Sequence, residues 1–119
     1  MDTGWVYLYK DASWGIVKYR ARNGVCCLSV AGVGGIGAGA SWEVPNGIAR
    51  KFLPTNGLYS PLSHRQSNNT AQVWIPGQDG SGSDGKLYIY SSINTSSTKD
   101  RISGLVSWIY EPEPPDPKA

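Results

Sequence analysis

The stretch IVKYRARNGVCCLSVAGV, residues 16–33, decides the fold. Asn23 and Gly24 separate two runs of alternating character, and they tolerate the positive φ angles that a tight type I′ turn needs. This turn pairs Arg22 with Val25 and so fixes the register of a hairpin. Side chains alternate between faces along a strand, so one face is predicted to be apolar: Val17, Tyr19, Ala21, Cys26, Leu28 and Val30. The opposite, wetter face carries Lys18, Arg20, Arg22, Val25, Cys27 and Ser29.

The rest of the chain repeats this two-residue alternation and shows no sustained helical periodicity. Further extended segments are predicted at residues 3–9, 41–44, 48–53, 71–75, 86–91 and 102–110. Residues 53–61 contain two prolines and an Asn-Gly pair and are predicted to be irregular, like the glycine-rich residues 34–40. The count of about seven or eight short strands predicts an all-β fold, an antiparallel, jelly-roll-like β-sandwich over residues 1–110. Residues 111–119, EPEPPDPKA, are a proline-rich acidic tail.

Composition restricts the possible partners. A net charge of +2 over 119 residues is too weak to indicate nucleic-acid or membrane-surface binding by electrostatics. The most apolar stretch, residues 25–40, is shorter than the ~20 residues of a spanning helix and rich in glycine, so no membrane insertion is expected. The chain opens without the features of a signal peptide. Cys26 and Cys27 should point to opposite faces, Cys26 into the core, which fits folding in a reducing cytoplasm without disulfides.

Catalytic and metal motifs fail on their context. GVGGIG at residues 32–37 matches a dinucleotide fingerprint, but Pro45 and an Asn-Gly turn follow where a helix is required. DGSGSDG at residues 79–85 lacks the ligand pattern of an EF-hand. His64 is the sole histidine, lies in a polar stretch predicted to be exposed, and has no GxSxG nucleophile motif beside it. We therefore expect no catalytic residues, no metal site, no cofactor and no enzymatic activity. A small hydrolase using His64 is a minor alternative, and a glycosidase carboxylate pair stays open with no residue nominated.

The aromatic residues carry the functional information. Trp108 is predicted to pack in the core, whereas alternation directs Trp74 and Tyr88 outward. There, an oligomer interface is the first interpretation and a sugar-stacking platform the second. The candidate ligand-binding residues are Trp74, Tyr88, Tyr90 and Gln72. The cationic stripe on the central hairpin is interpreted as a solvated strand face.

Taken in order, short motifs along the chain resemble those of C-terminal domains in tail fibre and baseplate receptor-binding proteins of tailed phages. DTGWV (residues 2–6) and VKYRARNG (residues 17–24) resemble the family's "D-x-G-W" and "Y-R-x-x-G" openings. LPTNGLYSP (residues 53–61), GKLYI (residues 85–89) and ISGLVSW (residues 102–108) resemble its later segments. The similarity covers residues 2 to about 110. The glycine run at residues 34–40 and the long loops around His64 and Gly80 depart from it.

The resemblance implies a β-sandwich, often homotrimeric, at the distal end of a phage or prophage tail. Such a domain is made in the bacterial cytoplasm and acts outside the cell as part of the virion tail. Its implied partners are further copies of itself, other tail proteins and a host cell-surface polysaccharide or glycan. Its implied work is host adhesion or fibre assembly, with no shared catalytic residues to transfer. Two alternatives remain: a non-viral carbohydrate-binding module and a purely structural fibre domain.

Overall fold

The computed structural model describes residues 1–78 and 85–111. The predictions for the loop at residues 79–84 and for residues 112–119 of the acidic tail lie outside this part of the chain. The described chain is all-β, as predicted. Its strands are β1 (Val6–Asp11), β2 (Gly15–Arg22), β3 (Val25–Val33), β4 (Ala40–Glu43), β5 (Leu58–His64), β6 (Ala71–Ile75), β7 (Tyr88–Ser91) and β8 (Ile102–Ile109). Two 3₁₀-helices, Arg50–Phe52 and Thr98–Asp100, complete the elements.

The eight strands form one hydrogen-bonded, antiparallel sheet in the order β1-β2-β3-β8-β5-β6-β7-β4. The sheet is strongly curled into a half-barrel. Its two four-stranded halves meet at β5 and β8, which pair only at Ser63 with Ser103 and at His64 with Ile102. The all-β antiparallel class is therefore confirmed, whereas the finer assignment to a jelly-roll-like sandwich stays a prediction.

The central hairpin has the predicted register. Arg22 is opposite Val25, and the turn residues Asn23 and Gly24 have φ angles of 50° and 85°. All six residues assigned to the apolar face are buried. Burial also raises the pKa of the Cys26 thiol to about 12, because the thiolate would lose its hydration.

The two ends of the sheet approach each other, so the curled sheet has a seam between β1 and β4. The Tyr9 and Trp42 rings meet edge-to-face with centroids 4.8 Å apart. Asn46 donates a hydrogen bond from its side-chain amide to the Leu8 carbonyl, at 3.0 Å. Side chains thus bridge the two edge strands of the sheet, and both halves contribute to one apolar core.

Two predictions of local secondary structure are wrong. Residues 48–53 are not extended, because the 3₁₀-helix there turns the Phe52 ring into the core, 5.2 Å from the Tyr110 ring. The Phe52 carbonyl accepts a hydrogen bond from the indole N–H of Trp108, which is buried as predicted. Residues 53–61 are not irregular throughout, since β5 begins at Leu58 and includes Pro61. Residues 58–61 of β5 pair with β6 alone, and a strand with one neighbour tolerates a proline.

Candidate functional site

The outer face of β5, β6, β7 and β4 carries two aligned rows of side chains. Cross-strand pairing places the first row in the order Tyr59, Trp74, Tyr88 and Glu43. The second, parallel row contains Pro61, Gln72, Tyr90 and Ser41. Neighbouring strands lie about 4.8 Å apart, so each row extends roughly 14 Å across the sheet. The inner face of the same strands is apolar and buried, with Val73 and Ile89 fully inaccessible.

A shallow groove of about 240 Å³ lies between the two rows. We call it the aromatic groove, and it is lined by Ser41, Tyr59, Gln72, Trp74, Tyr88 and Tyr90. The structure therefore brings together all four of the residues proposed from the sequence as ligand-binding, and that they bind a ligand stays a prediction. The sequence reasoning missed Tyr59 and Ser41. Tyr59 lies two residues before Pro61, so strand alternation would have placed both side chains on one face. This signal was not used because the segment was interpreted as irregular.

The rings of the aromatic groove are held in defined positions. Trp74 packs against Tyr59, with ring centroids 4.7 Å apart and an interplanar angle of 43°. The six-membered ring of Trp74 also lies directly over Gly57, where an added Cβ would come within 2.3 Å of its Cη2 atom. The Tyr88 hydroxyl donates a hydrogen bond to Glu43 Oε1 at 3.1 Å. Tyr59 stays 66% exposed and Tyr88 40% exposed, so fixed rings present accessible faces.

This arrangement can stack a ring-shaped ligand and hydrogen-bond its edge. The aromatic faces supply apolar area, while the Gln72 amide, the tyrosine hydroxyls and the Ser41 hydroxyl supply donors and acceptors. Among the eight residues of the two rows, Glu43 is the only acidic or basic one, and it stands at one end. The groove therefore suits an uncharged, polyhydroxylated ligand better than an anion.

His64 is not exposed, which corrects the sequence interpretation. It lies on β5, only 5% accessible, because Leu62 and His64 alternate inward while Ser63 points out. Its Nδ1 is 2.9 Å from the Asn69 carbonyl, to which it donates, and its Nε2 is 3.0 Å from Ser91 Oγ. This contact has the composition of a serine–histidine pair, but Ser91 is fully buried and its Oγ also contacts the Ile93 carbonyl at 2.6 Å. The pair joins β5 to β7 and has no route for a substrate.

The cationic stripe is partly paired with neighbours. Arg20 donates to both carboxylate oxygens of Asp2, from Nε at 3.0 Å and from Nη2 at 2.6 Å. These hydrogen bonds hold the pKa of Asp2 well below its usual range. The Lys18 ammonium lies 4.6 Å from the centre of the Trp5 ring. Arg20 and Lys18 of the stripe therefore contact Asp2 and Trp5 on a solvent-facing surface of the strand.

No group of three or more potential metal ligands occurs among residues 1–78 and 85–111. Within the same described ranges, no helix is long and apolar enough to cross a membrane. No protein-family model, no curated protein and no solved structure matches the chain.

Proposed function

We propose that this chain is a host-adhesion domain of a phage or prophage tail fibre or baseplate, and that it binds a surface glycan in the aromatic groove. The observation that carries the proposal is the register-aligned row of Tyr59, Trp74 and Tyr88 on three neighbouring strands. Three rings in one row, with Tyr59 and Tyr88 exposed and Trp74 half-buried between them, form a platform for successive sugar rings. The flanking row supplies hydroxyl and amide groups for orientation.

The proposed architecture is the antiparallel, jelly-roll-like sandwich predicted from the strand count, and the tail-fibre resemblance likewise implies a β-sandwich. Its support is the division of the sheet into two four-stranded halves that share a single core and are joined by two residue pairs. The glycan would then bind to the outside of one half, on a surface that the core holds rigid.

The other half of the sheet offers a surface for self-association. Val25, Leu105 and Ile109 project from the outer face of β3 and β8 and are 47%, 71% and 77% exposed. Val25 and Ile109 are cross-strand neighbours, and an apolar recess of about 700 Å³ opens beside them. We place the homotrimer contact here, because exposed aliphatic side chains of this size favour burial between subunits.

A trimer would give weak sites a large combined effect. Each shallow groove binds one segment of glycan loosely, and three grooves on one rigid tip raise the effective concentration of the second and third contacts. The remaining partners in this proposal are the other tail proteins, with the virion tail as the place of action.

Two measurements test the proposal. Affinity electrophoresis in gels containing soluble bacterial surface polysaccharides should retard the wild type. Trp74→Ala should lower the apparent association constant about tenfold, since one stacked ring contributes about 1.4 kcal/mol. Trp5→Ala is the control, because Trp5 is an accessible tryptophan (42% exposed) that lies outside the groove. Equal retardation of wild type and Trp74→Ala would refute the groove as the site.

Sedimentation separates the proposal from its alternatives. Wild type should sediment as a trimer at micromolar concentration, and Ile109→Asp should convert it to a monomer with glycan binding per chain intact. A wild-type monomer that still binds glycan would instead favour a non-viral carbohydrate-binding module. A trimer that binds no glycan would favour a purely structural fibre domain.

A further inference from the structure

A second group of aromatic residues surrounds a cavity at the seam between β1 and β4, apart from the aromatic groove. We call it the seam cradle; it has a volume of about 400 Å³ and is lined by Tyr9, Trp14, Gly34, Gly35, Trp42 and Ser96. The edge strand β4 serves both sites, because its side chains alternate. Ser41 lines the groove, whereas Trp42 points to the other face and packs against Tyr9.

Trp14 is 38% exposed, yet it is fixed from several directions. Its backbone N–H donates to Asp11 Oδ1 at 3.0 Å, and its carbonyl accepts from the Gly34 N–H at 3.2 Å. The guanidinium carbon of Arg101 lies 4.8 Å from the centre of its ring. A surface indole held in this way loses little further freedom when a ligand stacks on it.

The glycine run explains how the Trp14 ring fits so closely. Gly35 has φ of 81°, and a Cβ on it would lie 3.3 Å from the Trp14 ring. A Cβ on Gly34 would come within 2.7 Å of the Thr95 carbonyl oxygen. Thr95 is fully buried, and its hydroxyl accepts from the Ile36 N–H at 2.7 Å and donates to the Ile36 carbonyl at 2.9 Å. Residues 32–37, which match a dinucleotide fingerprint in sequence, thus contribute Gly34 and Gly35 to the lining of the cradle and are held in place by hydrogen bonds to Thr95.

The chemistry of the lining defines the class of ligand. Three aromatic rings supply stacking area and the Ser96 hydroxyl supplies a polar contact, while the Gly34 and Gly35 N–H groups already donate to the Trp14 and Thr95 carbonyls. None of the six lining residues is charged at neutral pH. The Arg101 guanidinium beside the cradle already donates from Nη1 to the carbonyls of Ser13 and Gly32, at 2.6 and 3.3 Å. The Arg101 Nε is buried without a hydrogen-bond partner and so is not exposed to a ligand. The six lining residues themselves therefore offer a charged ligand no counter-ion, whereas a neutral ring with hydroxyl edges matches their aromatic and hydroxyl surfaces.

We propose that the seam cradle is a second saccharide-binding site, that it takes an uncharged sugar ring, and that Trp14 is its stacking platform. The proposal does not depend on the aromatic groove, because the two sites share no lining residue. Two sites on opposite faces of β4 allow one chain to hold two segments of a neutral polysaccharide.

Affinity electrophoresis of the full chain tests the cradle, with dextran, soluble starch and hydroxyethyl cellulose as neutral probes and polygalacturonate as a charged one. At least one neutral polymer should retard the wild type. Trp14→Ala should lower the apparent association constant about tenfold, while Trp14→Phe, which keeps a smaller ring, should lower it about twofold to threefold. Trp5→Ala is the exposed-tryptophan control and should change nothing.

The outcomes separate the two sites. Loss of retardation in Trp74→Ala with none in Trp14→Ala overturns the cradle and keeps the groove, and the reverse pattern keeps the cradle and refutes the groove. Retardation by polygalacturonate alone, or by no polymer, overturns the assignment to a neutral saccharide. If thermal unfolding shows that Trp14→Ala does not fold, Trp14→Phe decides the matter. In that case a loss of twofold to threefold supports the cradle, and an unchanged constant overturns it.

Discussion

Replacing Gly57 with alanine should displace the platform of the aromatic groove while leaving the fold intact. The new Cβ would lie 2.3 Å from Cη2, 2.8 Å from Cζ2 and 3.1 Å from Cζ3 of Trp74. Ordinary contacts begin near 3.4 Å, so the ring must retreat by about 1 Å. The backbone at Gly57 has no positive φ, so the cost is confined to the moving ring.

The expected effect on stability is small because the displaced atoms belong to the outer end of a half-buried side chain. Overpacking in a closed core costs roughly 1–3 kcal/mol, and this site should be at or below about 1 kcal/mol. For a domain of this size, that lowers the melting temperature by no more than about 4 °C. The effect on the groove should be larger, because the contact between Trp74 and Tyr59 changes and the stacking face tilts. We expect about a tenfold loss of glycan affinity.

The assay combines thermal unfolding, near-UV circular dichroism and affinity electrophoresis. Gly37→Ala is the matched control, because its Cβ would meet only the Ala40 Cβ at 4.0 Å and its φ is also not positive. Gly57→Ala should change the aromatic dichroism and the affinity, and Gly37→Ala neither. Unchanged dichroism and affinity in Gly57→Ala, in a protein whose binding is lost in Trp74→Ala, would refute this account of how the platform is positioned.

Three further predictions concern the buried His64, the two cysteines of the central hairpin, and the ion pair between Asp2 and Arg20. His64→Ala should destabilise the fold by about 3 kcal/mol in urea titrations, because it leaves a cavity and orphans buried polar partners; a loss below 1 kcal/mol would contradict the buried placement. Iodoacetamide at pH 8 should label Cys27 and spare Cys26, whose pKa of about 12 leaves roughly one thiolate in ten thousand; mass spectrometry showing equal labelling would contradict it. In ¹³C NMR titrations, the Asp2 carboxyl should titrate well below an ordinary aspartate, because Arg20 stabilises its charged form. A lowered pKa means that the stability gained from this pair is present near neutrality and lost as the pH falls through the folded-state value, and an ordinary midpoint would show the pair to be absent in solution.

The sequence could predict what two-residue periodicity controls. The Asn23-Gly24 turn set the hairpin register, and the alternation within β6 and β7 sent Gln72, Trp74, Tyr88 and Tyr90 to one face. Because a strand has only two faces, these four residues could be assigned to an outward face and proposed as ligand-binding before the strand order was known.

Other features depended on contacts between distant segments. Tyr59 was missed because the prolines and the Asn-Gly pair around it indicated a turn, whereas Pro61 is tolerated where β5 has a single neighbour. His64 was wrongly predicted to be exposed, because its burial depends on a contact with Ser91, 27 residues away. The seam cradle needs the sheet to curl until β1 and β4 meet, and no local pattern around Trp14 or Trp42 specifies that curl.

The most direct test of the aromatic groove follows the indole N–H signals in ¹H–¹⁵N spectra while a retained neutral polysaccharide is added. The account predicts that the Trp74 signal shifts, since its ring forms the platform. The Trp108 signal should stay fixed, because this indole is 7% exposed and donates to the Phe52 carbonyl. A Trp74 signal that remains in place under saturating polysaccharide would contradict the central claim.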